Sequence, residues 1–456
     1  MRIVLVNPKP KIWIKAAIAP MGLAYLAANL EKNGFEKIKL VDYTVEPKAS
    51  LPKADLVGIT AATPLIKSAW KVAKLAKKKG ALTVLGGPHV SVMPSESISL
   101  PFIDFVVVGE GEETMLELCQ ALEKGKQDFS KIKGLVYKKG KKVIHNSPRP
   151  FVKDLDSLPF PAYHYFKLPL YTSTQPHISV NKPAVGIMTA RGCPFGCNFC
   201  YKGTFGRVWR PRSVENVLAE WEYLVKQVKV KEIALMDDGF NLDVERAIKI
   251  CREIKKRGLV IPWRAHNGIR ADRTPVRLLK AMKESGCYMA CFGVESGCQK
   301  VVDAIGKKLS LKDVITAIQK CRKLGILTMA FFMIGNPEET KAEIMKTIDF
   351  SLKLDSDLAL FSVVTPFPGT RIFKKLKSEG KIKTFNWDDY SAFGDKGFFD
   401  YNDVRGEEAV RLARLAYRKF YLRPKVIMRI LRRKETWLNL PSVMVGSAHY
   451  LLQRDL

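Results

Sequence analysis

Three cysteines lie close together in one loop of the sequence: Cys193, Cys197 and Cys200, separated by three and then by two residues. Glycine and proline between them let the loop bend, so the three thiols can converge on one metal centre without long-range folding. A zinc site would need a fourth ligand nearby, and the next cysteine is Cys251, within a helical pattern. Three soft ligands with one coordination position left open therefore favour an iron–sulfur cluster over a zinc knuckle.

The stretch from Arg191 to Tyr201, Arg-Gly-Cys-Pro-Phe-Gly-Cys-Asn-Phe-Cys-Tyr, resembles the cysteine loop of the radical S-adenosylmethionine enzymes. The resemblance implies that the three cysteines ligate a 4Fe-4S cluster whose unique iron chelates S-adenosylmethionine. It also implies that Phe199, the aromatic residue before the last ligand, packs beside the adenine.

The elements that must position this loop begin with a run of short apolar strands and amphipathic helices. The predicted elements are Ile3–Val6, Met21–Lys32, Ile38–Val41, Leu56–Thr60, Ser68–Lys79, Thr83–Leu85 and Phe105–Val108. Such alternation predicts a doubly wound parallel sheet, and ligands of such sheets lie beyond the carboxyl ends of the strands. At those ends the sequence places small residues, which admit a bulky ligand: Thr60, Gly86, Gly87, Gly109 and Gly111, with Glu110 between the last two.

This first half resembles the cobalamin-binding domain that precedes the barrel in one large class of radical enzymes, and the stretches beginning at Met21, Gly86 and Gly109 carry the likeness. The Asp-x-His-x-x-Gly loop that gives cobalt a histidine is absent. The resemblance therefore implies base-off cobalamin held at the small residues named above. His89 is expected either to hydrogen-bond the nucleotide tail or to be solvated in its turn. The alternative is a domain that has lost its cofactor and only supports the barrel.

From residue 183 a strand–helix unit repeats, which predicts an incomplete TIM-like barrel of six strands and five connecting helices. Active residues of such barrels belong at the carboxyl ends of the strands. Asp238 follows the second strand, and the resemblance assigns it to the ammonium of S-adenosylmethionine; capping of the next helix is the alternative. Glu295 ends the fourth strand, and alternation puts Gly293 and Cys291 on the same side as its carboxylate.

The resemblance places Glu295 at the ribose or methionyl end of S-adenosylmethionine. Lys307, twelve residues on, is either a partner for a carboxylate or a solvated lysine. Cys291 is a candidate neighbour of the substrate or of the radical. Arg264 and His266, at the end of the third strand, lie either near the cofactor and substrate or at the surface.

One motif departs from the resemblance. In Gly335-Asn-Pro-Glu338, a second glycine is commoner where Glu338 stands.

Four segments are expected. Residues 1–145 form the cobalamin-binding-like domain, 146–182 a proline-rich linker, 183–384 the partial barrel, and 385–456 an aromatic and then basic helical C-terminal region. The amphipathic tail of the last segment either docks on the open side of the barrel or contacts an anionic membrane.

The chain of 456 residues has a formal net charge of +31, which fits a lysine-rich or highly soluble surface as well as any single partner. No nucleic-acid module is recognised, so nucleic acid is not an expected partner. Nine cysteines do not make a disulfide scaffold in a chain of this length. Without a signal peptide or an apolar run of about 18 residues, the protein is expected in the cytoplasm.

The sequence thus predicts an α/β enzyme with three cofactors: a 4Fe-4S cluster, S-adenosylmethionine and base-off cobalamin. The expected reaction is methylation of an unactivated carbon of a small-molecule, lipid or peptide substrate, with flavodoxin or ferredoxin as electron donor. The alternatives are an oxidative cyclase or rearrangement enzyme similar to the anaerobic magnesium-protoporphyrin ester cyclases, and an iron–sulfur electron carrier without a substrate.

Overall fold

The computed structural model describes residues 1–11, 18–171, 181–391 and 396–432. These residues form two mainly parallel sheets, here called sheet A and sheet B, with helices packed against both. The predicted doubly wound sheet followed by a six-stranded partial barrel is confirmed.

Sheet A uses the first 145 residues. Its strands are β1 (Ile3–Asn7), β2 (Ile38–Asp42), β3 (Leu56–Thr60), β4 (Leu82–Gly86), β5 (Phe105–Val107), β6 (Leu135–Lys139) and β7 (Lys142–His145). Its helices are α1 (Met21–Lys32), α2 (Ile66–Lys78), α3 (Pro88–Val92), α4 (Pro94–Ile98) and α5 (Glu112–Glu123). In the described residues the strand order is β2-β1-β3-β4-β5-β6-β7.

Both faces of sheet A are buried, which explains the continuous apolar run of β1. Ile3 and Leu5 pack in one core with residues of α1 and α5. Val4 and Val6 pack in a second core with residues of α2. The reversal of strand order at β1 and β3 places a ligand crevice at the carboxyl ends of these strands.

Strands β6 and β7 differ from the sequence-based prediction. Both lie within residues 1–145, the predicted first domain, but the strands predicted there end with Phe105–Val108, so no pairing was assigned to them. Instead, β6 pairs antiparallel with β5 and β7 with β6, so the two strands extend sheet A. The segment after β7 contacts elements of both sheets. The Ala162 amide donates to the Ala24 carbonyl in α1, which packs on sheet A, and the Tyr163 hydroxyl donates to the Gly186 carbonyl in sheet B.

Sheet B forms the partial barrel. Its strands are β8 (Ala184–Ile187), β11 (Glu232–Leu235), β12 (Trp263–Ala265), β13 (Cys287–Glu295), β14 (Leu327–Ile334) and β15 (Leu358–Val363). A separate short ribbon pairs β9 (Ala190–Arg191) with β10 (Arg210–Pro211). The helices that follow are α6 (Val214–Tyr223, continued by a π-helical turn Leu224–Val228), α7 (Val244–Lys256), α8 (Val276–Glu284), α9 (Gln299–Ala304), α10 (Leu311–Lys323), α11 (Lys341–Leu354) and α12 (Arg371–Ser378).

In the described residues the order of sheet B is β15-β14-β13-β12-β11-β8, so β15 and β8 are its edges. Helix α13 (Gly406–Tyr421) covers the β15 edge with buried Ala416 and Phe420. The Tyr417 and Tyr421 hydroxyls accept hydrogen bonds from backbone amides of β15. Of the two positions expected for the tail, α13 therefore takes the one on the open side of the barrel, and it protects an exposed strand edge.

Helix α14 (Pro424–Leu431) follows and leaves Ile427 and Met428 exposed. Among the described residues, no helix has the length and apolar composition needed to cross a membrane. The remainder of the predicted tail, residues 433–456, lies outside the described residues.

Candidate active site

The three predicted cluster ligands share one cavity. Cys193, Cys197 and Cys200 line the mouth of the barrel, in a cavity of about 660 Å³. The loop leaves β9 through Gly192, whose φ of +85° and closeness to the Val208 carbonyl leave no room for a side chain. The Asn198 amide donates to the Ile305 carbonyl at 2.9 Å, which fixes the middle of the loop.

The donor set fits a cluster better than a single ion. Among the described residues, no three Cys, His, Asp or Glu side chains are close enough to hold one metal ion. A 4Fe-4S cluster binds its three thiolates through three separate irons, so its ligands form a wider triangle than those of one ion. Burial raises the pKa of Cys200 to about 12 and also raises that of Cys197. The metal must therefore displace protons when it binds.

Glu295 lies at the end of β13 in a left-handed conformation, with φ of +68°, where the pairing with β14 shifts register. The Lys307 ammonium donates to its Oε1 at 2.5 Å. A Cβ at Gly293 would lie 2.5 Å from both groups, so glycine is needed there. Lys307 is thus not a solvated lysine. Non-glycine residues at positive φ are strained, and such strain is found preferentially at functional sites.

Asp238 lies at the boundary between two cavities, because it lines the barrel mouth and also the crevice above sheet A. Burial raises the pKa of Asp238, which accepts a hydrogen bond from the Gly192 amide. The alternative that Asp238 caps the next helix is wrong, since Asp243 caps α7. Its neighbour Asp237 lines neither cavity, and its Oδ1 accepts a hydrogen bond from the Thr189 amide at 2.5 Å.

The crevice above sheet A is a cavity of about 480 Å³. It is lined by all of the small residues predicted there together with Glu110: Thr60, Gly86, Gly87, Gly109, Glu110 and Gly111. Gly87 has φ of +110°, and a Cβ there would lie 2.9 Å from the Ala61 carbonyl oxygen. The small residues at the strand ends leave this cavity open where a large flat ligand would lie. None of the residues described as lining it is a histidine, so it fits a corrin without an axial histidine.

His89 does not line this cavity. The side chain is 1% exposed, its Nδ1 lies 3.2 Å from the Thr63 hydroxyl, and its Nε2 lies 3.0 Å from Glu96. Its ring packs edge-on against Trp387. The expectation of a solvated His89 is wrong, and both ring nitrogens are used within the protein, which leaves a hydrogen bond to a nucleotide tail without support.

Glu110 is buried, and its charge is compensated by two arginines. Its carboxylate accepts hydrogen bonds from Arg191 at 3.0 Å, from Arg210 at 2.9 and 3.0 Å, and from the Val152 amide at 2.7 Å. Arg191 is the residue two positions before the first cluster cysteine. Glu110 therefore joins the strand ends of sheet A to the start of the cluster loop.

Two site residues were missed by sequence analysis. Lys202 lies beside Asp238 and Cys193 and also lines both cavities, and its position two residues after Cys200 was the available signal. The Arg270 guanidinium lies 3.7 Å from the centre of the Phe195 ring in the cluster loop. The two residues are 75 positions apart, so no local pattern indicates their contact.

The end of β12 is buried and not at the surface. Arg264 is fully buried and pairs with Glu232, and His266 lines the barrel cavity. Cys291, as predicted, lines the same cavity.

Comparison with known proteins agrees with this arrangement. The radical SAM superfamily model matches residues 187–351, and the B12 binding domain model matches residues 14–119. The chain is 37% identical over 445 residues to an uncharacterized methyltransferase of Pyrococcus horikoshii, with 94% of each chain covered. It is 31% identical over 386 residues to an anaerobic magnesium-protoporphyrin IX monomethyl ester cyclase of Rubrivivax gelatinosus, covering 82% of this chain and 68% of that one.

Among solved structures, the cobalamin-dependent S-adenosylmethionine radical enzyme OxsB superposes with a TM-score of 0.71 at 18% identity, covering 100% of this chain and 73% of OxsB. At this identity the likeness concerns the fold.

Proposed function

This chain belongs to the cobalamin-dependent radical S-adenosylmethionine enzymes, and from that premise we propose that it methylates an unactivated carbon of a small-molecule, lipid or peptide substrate. One observation carries the proposal: the barrel cavity and the sheet A cavity share Lys202 and Asp238 as wall residues. A substrate at this boundary would be within reach of both cofactors. The 37% identical relative is named a methyltransferase, which agrees with this assignment.

Each cofactor has a proposed set of residues. Cys193, Cys197 and Cys200 hold the cluster. Phe199, Asp238, Glu295 and Lys307 surround S-adenosylmethionine. The small residues at the strand ends of sheet A hold base-off cobalamin. When bound, these groups supply a carbon-centred radical from S-adenosylmethionine and a transferable methyl group on cobalamin.

The chain itself orients the reactants and excludes water. The ion pair of Glu295 and Lys307 is mostly buried and fixes a carboxylate at the barrel mouth. Lys202 balances the charge of Asp238 between the two cavities. Glu110 and Arg191 join the strand ends of sheet A to the start of the cluster loop, an arrangement that would limit the access of water to bound S-adenosylmethionine.

The fate of S-adenosylmethionine tests the proposal. Methyl transfer consumes one molecule as methyl donor, giving S-adenosylhomocysteine, and cleaves a second to 5′-deoxyadenosine. The two products should appear in near-equal amounts, in a substrate-dependent manner, when the reconstituted enzyme is incubated anaerobically with a strong reductant. Candidate substrates with deuterium at the target carbon should transfer deuterium to 5′-deoxyadenosine.

An oxidative cyclase is the second candidate, because of the 31% identity to a magnesium-protoporphyrin ester cyclase. It would yield 5′-deoxyadenosine with little S-adenosylhomocysteine, and that result would replace the methyltransferase assignment. An electron carrier would give neither product in a substrate-dependent manner.

We propose a cytoplasmic location, flavodoxin or ferredoxin as electron donor, and weak contact of the C-terminal region with anionic membranes. The exposed Ile427 and Met428 of α14, beside basic residues, support the last point. Flotation with phosphatidylglycerol vesicles should recover the wild type at low salt and less at high salt. Ile427→Glu with Met428→Glu should abolish recovery, whereas Val276→Glu, at an equally exposed position on α8, should not. Equal recovery of all three proteins would contradict membrane contact.

A further inference from the structure

The barrel cavity extends well below the cluster ligands. Glu295, at the mouth of the cavity, and Met289, further back in strand β13, are about 20 Å apart at the rise of a β-strand. Apolar and sulfur-bearing side chains line this lower part: Met289, Cys291, Met329, Phe331 and Leu360. The strand pairing sets Cys291 beside Met329 and Gly293 beside Phe331, and Phe331 in turn lies beside Leu360. We call this region the lower lumen.

The charged residues that line the barrel cavity all lie at its mouth, among the residues that the structure describes. They are Lys202, Asp238, Arg270, Glu295 and Lys307. Beneath the lower lumen, Arg264 is paired with Glu232, and both side chains are fully buried. An ionised ligand group in the lower lumen would therefore lose its hydration without a charged residue among the described lining side chains to replace it, which is unfavourable. The lower lumen suits an uncharged group.

The polar side chain of His266 faces this region. The Arg264 Nε–H donates to His266 Nδ1 at 3.4 Å, so Nδ1 is an acceptor and the ring proton is on Nε2. Burial and the charge of Arg264 lower the pKa of His266 to about 4, so the ring is neutral at physiological pH. His266 lines the cavity at the level of Cys291, since Arg264 and Ala265 pair with Met289 and Ala290. No hydrogen bond to Nε2 is present among the described residues.

We propose that the lower lumen binds an uncharged, apolar part of the substrate whose carbonyl or ether oxygen accepts a hydrogen bond from His266 Nε2. The assignment rests on the proposed function, because it takes the lumen as a substrate site. It predicts a substrate with an apolar body, and any carboxylate, phosphate or ammonium that it carries lies at the cavity mouth.

Binding of small probes tests the assignment without turnover. The holoenzyme, reconstituted with cluster and hydroxocobalamin and saturated with S-adenosylmethionine, is titrated with acetophenone, ethylbenzene and benzoate by saturation-transfer NMR. Acetophenone should bind more tightly than ethylbenzene, and benzoate should bind far more weakly. Cys291→Phe, which fills the lower lumen, should abolish binding of the two neutral probes.

Two substitutions isolate the hydrogen bond. His266→Gln keeps an N–H donor near the position of Nε2, and His266→Leu removes it. Acetophenone should bind about fivefold more weakly to the Leu variant, the effect of one neutral hydrogen bond, and should retain its affinity for the Gln variant. Ethylbenzene should bind all three proteins alike. Nitrogen-15 NMR of labelled histidine should show the Nε2–H tautomer for the resonance lost in both variants.

Several results would overturn the assignment. They are benzoate binding as tightly as acetophenone, no saturable binding of the neutral probes, equal acetophenone affinity in wild type and His266→Leu, or an Nδ1–H tautomer. A loss of S-adenosylmethionine affinity in His266→Leu would instead place His266 in the cofactor site. Because the probes do not react, failure of methyl transfer leaves these measurements interpretable, and the reverse also holds.

Discussion

The cysteines of the cluster loop occupy the barrel mouth because residues from distant parts of the chain hold the loop. Arg270 stacks on Phe195, and Arg371 donates to the Gly196 carbonyl. The Ile372 amide donates to the Asn198 carbonyl at 3.2 Å. Contacts within the chain thus direct the three thiols to one cavity, which reduces the ordering that cluster binding requires.

The first prediction concerns these thiols. Alanine at Cys193, Cys197 or Cys200 should abolish cluster assembly, because each removes one of the three iron ligands that the chain offers. Anaerobic reconstitution should give about four irons and four sulfides per wild-type chain and far less for each variant. Cys298→Ala is the matched control, since Cys298 does not line the cavity and should keep the full content. A full cluster in any of the three variants would contradict the ligand assignment.

The second prediction concerns the residue where the sequence departs from its family. Glu338 has φ of +68°, a conformation that costs a non-glycine residue about 1 kcal/mol or more, and this explains why glycine is commoner there. Its ion pair with Lys375 is exposed and contributes little. Glu338→Gly should therefore leave the free energy of urea unfolding unchanged or raise it by up to about 1 kcal/mol.

The matched control is Glu379→Gly. Glu379 has an ordinary φ of −84°, so glycine there should lower the unfolding free energy by about 1 kcal/mol. Equal losses at the two positions would mean that the left-handed conformation of Glu338 carries no strain.

Residues whose partners are close in sequence could be predicted, and those whose partners are distant could not. The spacing of Cys193, Cys197 and Cys200 indicated their shared site, and alternation along β13 placed Cys291 and Glu295 on one side. His89 was beyond such reasoning, because its surroundings include Trp387, almost 300 residues later. The partner of Glu110 was also hidden, since Arg191 lies 81 residues later in the sequence.

At the scale of elements, the turn after β14 is held by a buried carboxyl group. Glu339 is 2% exposed, and its Oε2 accepts hydrogen bonds from the amides of Gly335 at 3.0 Å and Asn336 at 2.9 Å. Even so, burial raises the pKa of Glu339 to about 7 from a usual value of 4.5. The folded protein therefore holds a proton at Glu339 that the unfolded chain loses.

The third prediction follows from this pKa. Between about pH 4.5 and 7 the folded state binds more protons at Glu339 than the unfolded state, so stability falls as pH rises through this window. A shift of 2.5 units corresponds to about 3 kcal/mol. The unfolding free energy of Glu339→Gln minus that of the wild type should therefore increase by this amount as the pH rises from about 5 to 8, as measured by urea unfolding. Glu284→Gln, at an exposed position, should show no such gain, and a pH-independent difference for Glu339→Gln would refute the titration.

Periodicity predicted most elements closely, because apolar faces repeat where helices and strands pack. The predicted Met21–Lys32 and Leu56–Thr60 coincide with α1 and β3. Strands β6 and β7 were not among the predicted strands, since each combines only a short apolar run with lysines, and the pairing of β6 with β5 and of β7 with β6 makes them part of sheet A. An edge strand needs little apolar sequence, so its place in a fold depends on its neighbour.

At the scale of the whole molecule, the two sheets are joined by buried charges at the point where their cavities meet. Glu110 and Glu112 of sheet A pair with Arg191, and Glu110 also pairs with Arg210. Arg191 lies between the rings of Tyr25 and Phe205, at 5.0 and 5.2 Å from their centres. The net charge of +31 could not indicate this network, because the total counts exposed lysines together with the few buried charges.

The fourth prediction is that Glu110→Gln weakens both cofactor sites together. The substitution leaves Arg191 and Arg210 buried with less negative charge, which should lower the unfolding free energy by about 3–5 kcal/mol. Since Arg191 begins the cluster loop and Glu110 lines the sheet A cavity, affinities for S-adenosylmethionine and hydroxocobalamin should fall in parallel, as measured by calorimetry and by the corrin spectrum. The control is Glu113→Gln. Glu113 lies in helix α5 just after Glu110, and its pair with Arg149 is half exposed on the carboxylate side and should contribute less than about 1 kcal/mol. If Glu110→Gln lost only stability while both affinities stayed at the wild-type value, the buried charges would join the two sheets without positioning the cluster loop, and each cofactor site would be independent of the other.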